Sequence, residues 1–299
     1  MKNAILELRN VSKWYGKSRG VEGLNLVVNE QEIVGFLGPN GAGKSTTINI
    51  LLDIIHATSG DIILFGKPNQ QHNPVVRREI GYISGDIELY GELTGQQFID
   101  YSAKINKNVV AERVPQLASR LGAQLDKKIK TLSRGNRQKI ALISVFARQT
   151  KLLILDEPTS GLDPLVQETF QALIKEYRAA GGTVCMSSHI LSEVQAICDR
   201  VVFIREGKLI SQTTLAELTG RLHKRVTVVA SKEVLKKIAS LDALKKWQQD
   251  DTSASFAVHG NVAELLAKLP LNEIDDITIA NPELEELFMN YYEKEGANR

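Results

Sequence analysis

The chain has 299 residues, enough to bury one large core and a small second one. Its hydrophobic share of 43% and charged share of 24% are ordinary for a globular protein, and a formal charge of +2 is too small to argue for nucleic acid as a partner. No run approaches the roughly 20 apolar residues that cross a bilayer and Met1–Arg9 lacks a signal-peptide pattern, so the chain is expected in the cytosol, with another protein as anchor if it works at a membrane.

In chain order, Ile5–Leu8 and Gly23–Asn29 alternate as strands, and Ile33–Leu37 is apolar throughout, as in a buried parallel strand. A glycine-rich turn follows, then helical spacing over Thr46–Ile55. Spacings of three and four from Leu93 to Arg148 predict a helical segment. Leu152–Leu155 and Thr183–Ser187 read as further buried strands, with a helix at Leu165–Ala180 between them. Val201–Arg205 and Lys208–Ser211 flank Glu206-Gly207, a two-residue hairpin turn. Strands alternating with helices imply an α/β domain with a parallel sheet.

Beyond Thr219 the texture changes. Strands at Val226–Ala230, Ser255–Val258 and Ile277–Ile279, with helices at Lys232–Ser240, Val262–Lys268 and Pro282–Glu293, predict a small α+β unit. Cys185 and Cys198 are widely separated and read as reduced core thiols, and the five histidines form no metal motif.

Gly38-Pro39-Asn40-Gly41-Ala42-Gly43-Lys44-Ser45 fits G-x-x-x-x-G-K-[ST] at every fixed position. Such a loop turns backbone N–H groups toward phosphate oxygens, helped by the positive end of the following helix. Lys44 then reaches the β- and γ-phosphates, and the Ser45 hydroxyl helps hold Mg²⁺. Leu152–Leu155 ends in Asp156-Glu157, at the edge where open α/β sheets bind ligands. Asp156 suits the Mg²⁺ shell, and Glu157 suits polarising a water at the γ-phosphate.

With these residues the stretch from about Leu6 to Ile210 resembles the ATP-binding cassette (ABC) family. The family signature Leu-Ser-Gly-Gly-Gln is matched by Leu132-Ser133-Arg134-Gly135-Asn136, with Arg134 and Asn136 departing from it. Ser160-Gly161-Leu162-Asp163 is similar to the family's D-loop, His189 to its switch histidine, and Tyr15 to the aromatic that stacks on adenine. Trp14 is the second candidate for that stacking, and an edge-strand aromatic filling the core is the other reading of Tyr15. The family's loop glutamine, which contacts Mg²⁺ and senses the transporter, is replaced by Gly85, leaving Ser84 or Asp86 as stand-ins.

The resemblance implies a P-loop NTPase fold over 1–218: a RecA-like core, an antiparallel β subdomain and a helical subdomain at about 86–148. The unit at 219–299 would be an accessory α+β domain of the ferredoxin-like kind. ATP would be bound by Tyr15, Gly38, Asn40, Gly41, Ala42, Gly43, Lys44, Ser45 and Thr46, and Mg²⁺ by Ser45 and Asp156. Hydrolysis would use Glu157, His189 and Lys44, while Ser133 and Gly135 would close over ATP held by a second copy in a head-to-tail dimer. Pro282-Glu283-Leu284-Glu285-Glu286-Leu287-Phe288 is similar to the tail of ABC-2 exporter ATPases, which implies a separate membrane permease and work at the cytoplasmic membrane face. A soluble ABC ATPase not tied to transport and a weakly hydrolysing regulatory cassette are the alternatives.

Overall fold

The computed structural model describes residues 3–68, 74–106, 108–220, 224–241, 244–258 and 262–280. The chain divides into two compact units, 1–215 and 216–299, three residues from the boundary expected at 218/219. The first unit begins with β1 (Ala4–Tyr15), β2 (Ser18–Asn29), β3 (Ile33–Leu37), α1 (Lys44–Leu51), β4 (Ser59–Leu64) and β5 (Lys67–Pro68). Then come α2 (Pro74–Arg78), β6 (Ile80–Ile83), α3 (Gly95–Ile105), α4 (Arg113–Leu121), α5 (Arg134–Phe146), β7 (Leu152–Asp156) and α6 (Pro164–Ala179). It ends with β8 (Thr183–Ser188), α7 (Leu191–Ile197), β9 (Arg200–Arg205) and β10 (Lys208–Thr214), after which α8 (Leu215–Gly220) leads into the second unit.

The five residues of β3 are buried, as are those of β7 and β8, because helices cover a parallel sheet on both faces. These strands lie in a six-stranded sheet of order β10-β9-β3-β8-β7-β6. All its pairings are parallel except the β9–β10 hairpin. At the hairpin turn Glu206 (φ 48°) and Gly207 (φ 76°) are both left-handed, as a type I′ turn requires. A second, antiparallel sheet has the order β2-β1-β4-β5. Leu24, Leu26 and Val28 from it share one core with Val34, Phe36, Ile48, Ile154 and Val202 around the parallel sheet.

The segment expected to be helical from Leu93 to Arg148 is three helices separated by irregular chain. α3 opens with a capping box of Thr94 and Gln97. α4 ends at Gly122 in the left-handed conformation, and a 3₁₀ turn at Ile129–Thr131 precedes α5. The helix expected to run to Ile55 stops at Leu51, because Asp53 is left-handed (φ 55°). β1 runs well beyond Ile5–Leu8, with shifts of register against β2 that interrupt its alternation. β4, β5, β6 and β12 add to the expected strands; β5 and β6 are short, and β6 is recruited by pairing with β7.

In the second unit β11 (Lys224–Ala230), α9 (Lys232–Ala239), β12 (Leu244–Gln249), β13 (Ser253–Val258), α10 (Val262–Leu266) and β14 (Ile274–Ala280) form an antiparallel sheet of order β12-β13-β11-β14. This is the split β-α-β arrangement of ferredoxin-like folds. Its core joins Val226, Val228, Phe256, Leu235 and Ile238, with Trp247 stacked on Phe256 at 5.5 Å. The helix expected at Pro282–Glu293, with its exporter-like tail sequence, lies outside the described residues.

Phe170 of α6 is fully buried and meets Phe146 of α5 edge-on at 6.3 Å. Phe170→Ala should cost about 3–5 kcal/mol of stability, read as a lower denaturation midpoint of the chain.

Candidate active site

The loop 38–45 leaves the carboxyl end of β3, and its shape is imposed by contacts that admit no side chain. A Cβ on Gly38 would stand 2.2 Å from the Ile204 carbonyl oxygen. Gly43, which caps α1, has φ 105° and would drive a Cβ to 2.8 Å from Val21. Asn40, Gly41 and Ser45 are exposed at the mouth of the loop, whereas Ala42 and Lys44 are buried. Lys44 Nζ donates to the Gly38 and Pro39 carbonyls at 2.7 and 3.1 Å. Burial holds this ammonium below its ordinary range, and the nearby Glu157 and Asp156 carboxylates oppose the shift. The loop therefore holds a cation and free N–H groups around a concave backbone, an anion cradle.

Asp156 ends β7 and Glu157 follows it. Glu157 is a non-glycine residue at φ 46°, a strained conformation that persists only where neighbours enforce it. One neighbour that holds it is Ser187 of β8, fully buried beside Asp156 in the parallel register. Its hydroxyl accepts the Glu157 N–H at 3.0 Å and donates to Asp156 Oδ1 in a short hydrogen bond. One serine thus orients both acids. Glu157 Oε1 lies 3.1 Å from His189 Nδ1 and 3.9 Å from Lys44 Nζ. A carboxylate between an imidazole and an ammonium, over an anion cradle, can take a proton from water attacking a bound phosphate.

Tyr15 is half exposed and does not fill the core. A Cβ on Gly20 would touch both the Tyr15 ring (2.8 Å) and the Thr46 methyl (3.1 Å), so the ring lies beside the start of α1. Trp14 is also exposed, and its backbone N–H donates to Thr58 Oγ1. Ser133 caps α5 by accepting the Asn136 N–H, and a Cβ on Gly135 would meet the Gly161 carbonyl at 2.7 Å. The departure at Arg134 is engaged: its Nη2 donates to Ser160 Oγ at 2.9 Å. At the other departure, Gly85 backs onto Asp156, whose Oδ2 a Cβ there would reach at 3.6 Å, while Asp86 is exposed.

Among the described residues no group of three or more His, Cys, Asp and Glu could hold a metal unaided. A Mg²⁺ ion fits such a site, since it takes one or two protein oxygens and completes its shell with substrate phosphates and water. The buried Asp156 carboxylate, oriented by Ser187, and the exposed Ser45 hydroxyl are the donors in place. Ser187 was missed from sequence, where it is an ordinary small residue in an apolar strand; only its register against Asp156 reveals it.

The family profile for ABC transporters matches residues 21–160, and one described as an AAA domain, putative AbiEii toxin of a type IV toxin–antitoxin system, matches 128–194. The chain is 32% identical over 292 residues to an uncharacterized ABC transporter ATP-binding protein of Nostoc sp., covering 93% of this chain and 84% of that one. It is 35% identical over 227 residues to the bacitracin transport ATP-binding protein BcrA of Bacillus licheniformis, with 74% of each covered. Among solved structures, the ATP-binding subunit of an ABC transporter superposes with a TM-score of 0.67 at 30% identity, covering 72% of this chain and 91% of that one. A dimeric ATP-binding cassette in a post-hydrolysis state with ADP and Pi shares the fold, with a TM-score of 0.65 at 22% identity over 70% of this chain and 98% of that one.

Ser187→Ala keeps the strand but removes the hydroxyl that orients both acids. We expect turnover of ATP to fall on the order of 10- to 100-fold with ATP affinity nearly kept; separate measurement of kcat and nucleotide Kd checks this.

Proposed function

Because this chain belongs to the ABC transporter ATP-binding proteins, we propose that its residues hydrolyse ATP in a head-to-tail dimer and drive a separate membrane exporter. The observation that carries the residue assignment is the Glu157 carboxylate set between His189 (3.1 Å) and Lys44 (3.9 Å) at the carboxyl edge of the parallel sheet.

Tyr15 stacks on adenine, and the backbone of Gly38, Asn40, Gly41, Ala42 and Gly43 receives the phosphates, with Thr46 at the start of α1. Lys44 exchanges its two carbonyl partners for β- and γ-phosphate oxygens. Glu157 accepts a proton from water as the water oxygen bonds to the γ-phosphorus and the bond to the β,γ-bridging oxygen breaks. His189 orients that carboxylate and the γ-phosphate. Ser45 and Asp156 hold Mg²⁺, which when bound neutralises charge on the transferring phosphoryl group. Ser133 and Gly135 close the nucleotide held by the second copy, so each closed pocket draws on two chains. ATP's preference for the closed pair supplies the stroke, and hydrolysis releases it.

The permease takes the apolar cleft of about 220 Å³ lined by Leu51, Leu52, Ile54, Val76, Ile80 and Tyr82. Ile54, at its rim, is exposed, as an apolar residue awaiting a partner would be. Among the described residues no helix is long and apolar enough to cross a membrane. The likeness to a bacitracin transport ATP-binding protein supports a role in transport.

Hydrolysis by the purified chain should rise more steeply than linearly with protein concentration and stop when Mg²⁺ is chelated. Glu157→Gln should bind ATP, hold long-lived dimers and lose on the order of 10²-fold or more of turnover. Sizing in ATP with phosphate release reads both; normal turnover in that variant would remove Glu157 as the base.

A further inference from the structure

Glu157 and His189 sit on different loops, after β7 and after β8, and one carboxylate ties the two loops together. Glu193, in the first turn of α7, accepts from Thr159 Oγ1 at 2.5 Å through Oε1 and from Ser188 Oγ at 2.6 Å through Oε2. Thr159 lies two residues after Glu157, and Ser188 immediately precedes His189; both are buried. The Ser188 hydroxyl accepts the Ile190 N–H at 2.9 Å, and for its own proton the Glu193 carboxylate at 2.6 Å is nearer than the Ile190 carbonyl at 3.2 Å. An ionised carboxylate only accepts, and it offers two oxygens to two hydroxyl donors, one from each loop. Both contacts lie at the short end of the O–H···O range.

The loop after β7 needs such a tie. Glu157 is held at φ 46°, and relaxation to a common backbone conformation would swing its carboxylate away. Ser187 holds the residue from its N–H side. On the other side the loop is held by Gln138, whose Nε2 donates to the Pro158 carbonyl at 2.6 Å, and by the Thr159–Glu193 bond. Ser187 ties Glu157 to the end of β8, and Glu193 adds a side-chain link from Thr159 to Ser188, the residue before His189.

We propose that Glu193 is a positioning residue for hydrolysis: by clamping Thr159 to Ser188 it sets the approach of His189 to Glu157. This rests on the reading of Glu157 as base with His189 as its partner. Glu193 itself acts only through the two hydroxyls it holds.

The test uses the full chain, with kcat, ATP Kd and thermal midpoint measured for Glu193→Ala, Glu193→Gln, Thr159→Val and the Glu193→Ala/Thr159→Val pair, and Glu157→Gln as reference. Glu193→Ala should lower kcat about 10- to 100-fold while ATP Kd stays within about twofold, the split that marks lost transition-state stabilisation. Glu193→Gln should recover part of the rate, since its amide oxygen still accepts from one hydroxyl. Thr159→Val should slow the chain alone yet add nothing to Glu193→Ala, as expected of one coupled interaction. Wild-type turnover in Glu193→Ala beside an inactive Glu157→Gln would overturn the clamp and spare the base. A parallel fall of kcat, ATP affinity and thermal midpoint would reduce Glu193 to general structure and overturn it too. Normal turnover in Glu157→Gln would remove the base and the clamp together.

Discussion

Parallel pairing of β3 with β8, and of β8 with β7, sets Leu37 opposite Ser188 and Ser187 opposite Asp156. The phosphate loop, the two acids and His189 follow from that register. They emerge from adjacent strands at one edge because parallel strands all end on the same side. A shift of one residue in β8 would turn Ser187 away from Asp156 and face the wrong side chains to the site. Such slippage is opposed by the burial of all sixteen residues of the three strands.

Polar groups buried at that edge are satisfied as a set. Lys44 is held by loop carbonyls, Asp156 and the Glu157 N–H by Ser187, and Ser188 and Thr159 by Glu193. A low-dielectric surrounding makes each of these bonds stronger and makes any vacancy costly, so the network is rigid as well as polar. That rigidity sustains the left-handed backbone at Glu157, which would otherwise relax.

Two departures from the family pattern alter contacts around the site. Arg134, where the family carries glycine, reaches Ser160 and so joins the start of α5 to the loop that follows Glu157. Gly85, where the family carries glutamine, lies against Asp156: a Cβ there would be in van der Waals contact with its carbonyl oxygen and its carboxylate at 3.4–3.6 Å. Asp86, offered as a stand-in, is exposed, whereas position 85 is the one facing the acid.

Sequence by itself determined the features that local chemistry dictates. Gly38 to Ser45 announced an anion cradle, because glycines at fixed spacing and a helix start are backbone properties of a short stretch. The apolar runs ending at Leu37, Asp156 and Ser187 announced buried strands, and Glu206-Gly207 announced its turn, since φ > 0 suits few residues. The tertiary structure alone decided what depends on register across distant segments. Ser187 orients two acids only because β8 lies beside β7, and Glu193 joins two loops only because α7 packs where both pass. β6 is a strand because β7 offers it an edge, and α3, α4 and α5 separate at breaks that a period of three and four does not reveal. Periodicity reports which face is buried but not what it is buried against, and hydrogen bonds between remote side chains leave no pattern in the chain that carries them.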